Sequence, residues 1–279
     1  TGGVLMKSIK ENHPLDIATQ LIRKEDHYLG HTSDHYANMV GPFGGITAAT
    51  MLNAVLQHTE HIGDHVSLTI NYAAPVSDGS FEIKATPART NRATQHWFIE
   101  LFQDDEIVIT GTAVFAKRRE TWSSTELKFP AVPNPEEAYP ISSKGLPSWV
   151  RQYDIKIIQG LPSAFSHHVQ TEVPSSTTLQ WIHDEPKRNI DFLSLTAICD
   201  AFFPRIYVRR KQIVPIGTIS LTIYFHVDSK QLQTYGDEVV LGHATANQFH
   251  NGFFDQTAEI WSPKGDLLAT SSQFVYYKE

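Results

Sequence analysis

A single cysteine, Cys199, stands among 279 residues, so no internal disulfide staples this fold and a reducing compartment is expected. Long apolar runs are missing too: the one around Ile198 is broken by Asp200 and Pro204, well short of a membrane span, and no membrane partner is expected. Basic residues are outnumbered, and a formal net charge of −7 argues against a nucleic-acid partner, which calls for a basic face. No Gly-x-Ser-x-Gly elbow occurs, which sets aside an α/β-hydrolase, and neither a phosphate loop nor a dinucleotide fingerprint is found. No cofactor is called for. Low-complexity tracts are absent, the opening residues do not read as a secretory signal, and the closing Tyr276-Tyr277-Lys278-Glu279 is not a peroxisomal address. Cytoplasm is therefore the expected compartment.

What the chain does have is a composition of 41% hydrophobic and 19% charged residues, enough for a compact core in one large or two small domains. The stretch Gly217-Thr218-Ile219-Ser220-Leu221-Thr222-Ile223-Tyr224-Phe225-His226 alternates apolar and polar residues with period two, the pattern of a strand with one buried face. Its words recur in Val66-Ser67-Leu68-Thr69-Ile70-Asn71-Tyr72, with Ser67 and Ser220 standing 153 positions apart. Around each copy the order repeats. A helix over 46–58, apolar nearly all round, precedes strand-like runs at 65–76, 80–90, 94–103 and 107–117. A second helix, capped by Asp191 and ended by Pro204, precedes runs at 218–227, 238–248, 252–261 and 266–278. Val114-Phe115 matches Val275-Tyr276 in this reading.

The pattern predicts an α+β fold of two tandem units, each an antiparallel meander wrapped round a helix and packed together as two chains would in a dimer. Residues 1–125 form the first unit, 126–164 a Pro-rich link of stiff, extended chain, and 165–279 the second, with added strand expected over 165–181. Sheet edges left unpaired lead us to expect a homo-oligomer.

Two constellations invite chemistry. His27, His31 and His35, spaced by four, would share a face and suit a metal, yet Gly30, Ser33 and Asn38 interrupt the segment and surface histidines are the favoured reading, so no metal is expected. Asp200 sits among Ile198, Cys199, Ala201, Phe202 and Phe203 near the carboxyl end of its helix, where burial and the helix dipole both disfavour a charged carboxylate. A raised pKa there suits a general base. An Asp turned outward, or paired with Arg205 or Arg209, is the equal alternative on residue pattern alone. Cys199 reads as core packing.

Specific words then carry a resemblance. Pro42-Phe43-Gly44-Gly45 before the first helix, Asp200 in the second, Thr218 opening the central strand that Phe225-His226 closes, and Gly265-Asp266-Leu267-Leu268-Ala269-Thr270-Ser271-Ser272-Gln273 resemble, in order, the double-hotdog acyl-CoA thioesterases of the type II family. The match spans most of 15–125 and 165–279. Ile46 stands where the best-known branch has Gln, Ser220-Leu221 where it has Asp-His, and Val227 where it has Arg. The resemblance implies a double hotdog fold, hydrolysis of acyl-CoA to free acid and CoA, and a catalytic set of Asp200, Thr218 and Gln273 with one working site in the second half.

In that scheme Asp200 takes a proton from water while the Thr218 hydroxyl and Gln273 amide hold the water still. Gly44 and Gly45 would let the substrate approach backbone N–H groups at a helix start, or simply form a tight turn. Arg209 and Arg210 would meet the phosphates of CoA, a solvated charge run being the alternative. One tension stands out. Alternation puts Thr218 on the polar face, opposite Ile219 and Leu221, so reaching the site needs a bulge. A catalytically silent acyl-ligand or partner-binding module is the alternative function, and a hotdog hydratase a weaker one.

Overall fold

The computed structural model describes residues 12–163 and 172–279. Helix α1 (Pro14–Ala18) and strands β1 (Ile22–Arg23) and β2 (Tyr28–His31) lead into helix α2 (Gly44–Leu56), followed by β3 (Asp64–Tyr72), β4 (Ser80–Thr90), β5 (Thr94–Gln103) and β6 (Glu106–Ala116). After β7 (Tyr139–Pro140), β8 (Tyr153–Gln159) and β9 (Thr178–Asp184), the second half places α3 (Phe192–Ile198) and α4 (Arg205–Arg209) before β10 (Ile216–Phe225). Then come α5 (Ser229–Gln233), β11 (Val240–Thr245), β12 (Phe249–His250), β13 (Phe253–Trp261) and β14 (Leu267–Tyr277).

One antiparallel sheet carries both halves, in the order β1-β2-β4-β5-β6-β3-β10-β14-β13-β11-β9-β8-β7, with β12 beside β13. The central strands of the two copies, β3 and β10, pair with each other, and Thr69 lies opposite its repeat counterpart Thr222 with hydroxyls 3.1 Å apart. A local twofold therefore passes between two residues that share one place in the repeat. The sheet ends in the two-residue strands β1 and β7, which offer a second copy little edge to extend.

Inside the sheet lie α2 and α3. Every residue of α2 from Gly45 to Val55 is buried, as a helix apolar nearly all round requires. Two of its polar side chains find backbone acceptors, Thr50 the Ile46 carbonyl within the helix at 2.7 Å and Asn53 the Thr19 carbonyl just after α1 at 2.9 Å. The two helices approach so closely that a Cβ on Gly45 would lie 2.8 Å from the Ala197 carbonyl oxygen.

Four expectations change. The first four strands are not a simple meander, because β3 pairs with β6 rather than with β4; Ala73 and Ala74 bond the Val108 carbonyl and lead the chain away past β6. Matching β3–β6 to β10–β14 by register makes Phe274-Val275, not Val275-Tyr276, the counterpart of Val114-Phe115. The second helix stops at Ile198, where Asp200 N–H and Ala201 N–H turn back three residues to Ala197 and Ile198 carbonyls, and Pro204 begins α4 instead of ending α3. The Pro-rich stretch is more than spacer: β8 extends the sheet beside β9, and buried Trp149 stacks on Phe43 at 4.7 Å. The strand expected over 165–181 is partly β9, and the rest of that range overlaps residues 164–171, outside those described.

Candidate active site

Asp191 sets the geometry first. Its carboxylate caps α3 by accepting the Ser194 N–H at 2.9 Å, which fixes where the helix starts and so where it delivers Asp200. Asp200 leaves the end of α3 facing the first turn of α2, from the other half of the chain. Its Oδ1 accepts from Gln273 Nε2 at 2.7 Å, and the Gly45 backbone N–H donates to the same carboxylate. Burial pushes the carboxyl up to about 7, while the Gln273 amide and the Gly45 N–H pull it back. Asp200 is not turned to bulk solvent, and neither arginine of the alternative reading meets it: Arg205 bonds carbonyls and amides, and Arg209 pairs with Glu172 at 2.6 Å.

Gly44 supplies the space above this carboxylate. A Cβ there would sit 3.0 Å from Asp200 Oδ2 and 3.3 Å from the Tyr72 hydroxyl oxygen, and Tyr72 donates to the Gly44 carbonyl at 2.7 Å. The two glycines divide the work: Gly44 leaves room beside the acid, Gly45 lets the helices touch.

The strand tension over Thr218 resolves at a bulge. Thr218 pairs with Val275 and Ser220 with Phe274, so Ile219 is the extra residue, and it is 42% exposed. Past it the parity flips, putting Ile216 and Thr218 on the same side as Leu221 and Ile223. The alternation read from sequence therefore fails at Ile219, which points outward. Gln273 needs no such device, lying buried on the face of Ala269, Ser271 and Val275.

Asp200, Thr218, Gln273 and Gly44 all line one cavity of about 610 Å³. Its remaining wall is largely apolar, with Phe43, Trp149, Phe202, Phe254, Val214 and Leu146 among its residues. A greasy chamber with a few converging polar groups is the usual form of a small-molecule site.

Two family descriptions match this chain. Residues 33–116 match the acyl-CoA thioesterase N-terminal domain and residues 127–277 the acyl-CoA thioesterase C-terminal domain. The chain belongs to the acyl-CoA thioesterase family. Among solved structures, a conserved hotdog-fold protein of unknown function from Alicyclobacillus acidocaldarius is 45% identical, with 96% of this chain and 98% of that one covered and a TM-score of 0.91. An acyl-CoA thioesterase II from Mycobacterium marinum shares 14% identity over 95% of this chain and 98% of its own, with a TM-score of 0.72. A tesB protein of Mycobacterium avium is 13% identical, covers 95% and 98%, and scores 0.75. At those identities the two mycobacterial chains show a shared fold. No curated protein matches the sequence.

Within this thioesterase family member, Arg209 and Arg210 stand apart from the cavity wall. Arg209 pairs with Glu172 and donates to the Pro174 carbonyl, and Arg210 pairs with Glu279. The three spaced histidines do not gather: His27 bonds Asp26 and His31 the Thr32 carbonyl. Among the described residues the group close enough to share an ion is Asp154, His183 and Glu185, outside the cavity. No helix of the described residues is long and apolar enough to cross a membrane.

Sequence reasoning missed Tyr72, Gln256 and the 145–150 wall of the chamber. Tyr72 had a signal: at the repeat spacing of Thr69 and Thr222 it occupies the place of Phe225, so one copy carries a hydroxyl that the other lacks.

Proposed function

We propose that the chain hydrolyses acyl-CoA thioesters to a free acid and CoA, with an apolar acyl chain in the chamber and the reacting carbonyl beside Asp200. The observation that carries this reading is the 2.7 Å bond from Gln273 to a half-buried carboxylate raised to about 7, on a wall shared with Thr218. A carboxyl titrating near neutrality can take a proton in one step and return it in the next. A surface carboxylate of ordinary pKa is a far weaker base.

Asp200 takes a proton from a water that also bonds the Thr218 hydroxyl and the Gln273 amide. The hydroxide formed attacks the thioester carbon, its electron pair making the new C–O bond as the carbonyl π pair moves onto oxygen. Collapse of that tetrahedral species breaks the C–S bond, and the proton on Asp200 passes to the departing sulfur. Atoms balance with water as the sole co-reactant, and no covalent enzyme intermediate forms. The Gly44 N–H at the start of α2 supports the oxyanion together with the positive end of the dipole, the Gly45 N–H being taken by Asp200 and those of Ile46 and Thr47 by the Phe43 carbonyl. The missing side chain of Gly44 leaves room for the carbonyl oxygen to reach it.

The test is a panel of acyl-CoAs of increasing chain length with a thiol-detecting reagent. Thiol release by the wild-type protein, lost in Asp200→Asn, is expected. Release untouched by that substitution removes Asp200 from the mechanism, and binding without release at every chain length favours a silent acyl-binding module.

A further inference from the structure

One amide on the cavity wall has no part in the mechanism above. Gln256 on β13 stands opposite Gln273 on β14, is 5% exposed, and lines the same cavity. Its Oε1 accepts the Nε–H of Arg205 at 3.0 Å. A guanidinium has five donors and no acceptor, so the oxygen of Gln256 must face it and the NH2 group must face away. Among the described residues that NH2 group has no hydrogen-bond acceptor, and it is not one of the fully enclosed atoms, so it keeps access to the cavity that Gln256 lines.

Arg205 is itself unusual. It is wholly buried, and its other N–H groups go to the Ser176 carbonyl, to Thr178 Oγ1 at 2.8 Å, to the Phe203 carbonyl at 2.8 Å and to the Ala244 carbonyl at 3.4 Å. Every partner is neutral. Burial lowers its pKa to about 9, which still leaves it charged at neutral pH. A buried cation with no resident anion is costly, and that cost falls when negative charge develops nearby in a low-dielectric space. The Gln256 amide is the link from this cation to the cavity.

We infer that Gln256, held in one orientation by Arg205, donates a hydrogen bond to the thioester carbonyl oxygen and to the oxyanion that forms from it. Gln256 thus acts on the carbonyl while its cross-strand neighbour Gln273 acts on the base and water, and Arg205 is a positioning residue. The inference rests on the thioesterase reading, but its readout can be separated from turnover. Gln256→Glu keeps an oxygen for Arg205 while replacing the donor toward the cavity with an acceptor. Gln256→Met removes the amide altogether at similar length.

Two measurements test it. In thiol-release kinetics both variants should lose about a hundredfold in kcat with KM changed only a few-fold, the size expected for one oxyanion donor, and Gln256→Glu, which sets a carboxylate against Arg205, should not lower the melting temperature. In titration calorimetry, a CoA analogue in which CH2 replaces the thioester sulfur but the carbonyl is kept should bind the wild type about tenfold tighter than the alkyl thioether without a carbonyl. That preference should shrink several-fold in both variants, since the first turn of α2 still meets the carbonyl oxygen. Wild-type kcat in either variant, or an undiminished preference for the ketone, overturns the inference. A wild type that releases no thiol yet prefers the ketone overturns the hydrolase reading and leaves the carbonyl contact standing.

Discussion

Replacing Asp200 by Asn should change how stability depends on pH as well as ending catalysis. The folded carboxyl titrates at about 7 against 3.8 when freed, so between those values the folded protein holds a proton that the unfolded chain has lost. A raised folded pKa stabilises fully below 3.8 and stops contributing as pH rises through 7. Integrated from pH 5 to pH 8.5, this one group removes about 3 kcal/mol from the wild type and nothing from the variant, an upper figure because water in the cavity screens the charge. His61, His65 and His226, held below their usual values by burial, titrate in both proteins and cancel in the difference. Urea unfolding of both proteins at half-unit steps reads it directly. The variant should gain on the wild type steadily from pH 5 upward and level off above pH 8. A difference constant across that range would mean the carboxyl is not raised, and with it the argument for a base poised near neutrality would fail.

Wild-type kcat should fall about tenfold for each pH unit below 7 as Asp200 becomes protonated, and a flat pH–rate profile down to pH 5.5 would contradict this. Thr218→Val keeps the shape but loses the hydroxyl, and should lower kcat by about ten- to a hundredfold with little change in KM, measured by thiol release. Gly45→Ala pushes a methyl to 2.7 Å from the Phe43 ring and 2.8 Å from the Ala197 carbonyl, so helices α2 and α3 must part. A loss of about 1–3 kcal/mol in urea unfolding is expected, along with weaker activity because α2 holds one side of the site.

The architecture was legible because both copies repeat their words and the strands alternate over most of their length. β4 and β5 were bounded to the residue in the sequence, where turn residues flank strict alternation. Pairing was not legible: nothing in the composition of β3 tells whether it lies beside β4 or β6, since that depends on how the chain crosses the helices. The length of α3 was misjudged because Ile198, Ala201 and Phe202 keep an apolar pattern through a turn that leaves the helix. Asp200 could be singled out by its apolar surroundings, whereas Gln273 entered only through the family resemblance. Thr218 could not be placed by pattern alone, because a single bulged residue reverses the side on which a strand presents everything before it. The Arg205–Gln256 pair had no sequence signal, as its members meet across 51 positions.

The constellation proposed around Asp200 has no counterpart in the first half of the chain. A bulge between His65 and Ser67 in β3 mirrors the one between Thr218 and Ser220, so His65 holds the place of Thr218, and register puts Ala113 in the place of Gln273. Phe192 opens α3 where Gly44 opens α2. Its ring lies on the His65 ring at 4.0 Å and 21°, with Phe115 at 4.8 Å and Phe225 at 5.7 Å closing the box. Space, amide and hydroxyl are thus replaced by packed rings, and both nitrogens of His65 are buried without a partner. Burial with nearby His61 and Arg118 drives the imidazole down to about 3, so it stays neutral there. A depressed folded pKa means the unfolded chain binds the proton first, and the wild type loses stability as pH falls from 6.5 toward 3. His65→Phe removes both the unpaired nitrogens and that loss. It should stabilise the fold by about 1 kcal/mol at pH 7 and by more at pH 5, leaving thiol release intact. Equal acid sensitivity in the two proteins would refute the buried neutral imidazole, while lost thiol release would show that the closed corner contributes to the open one.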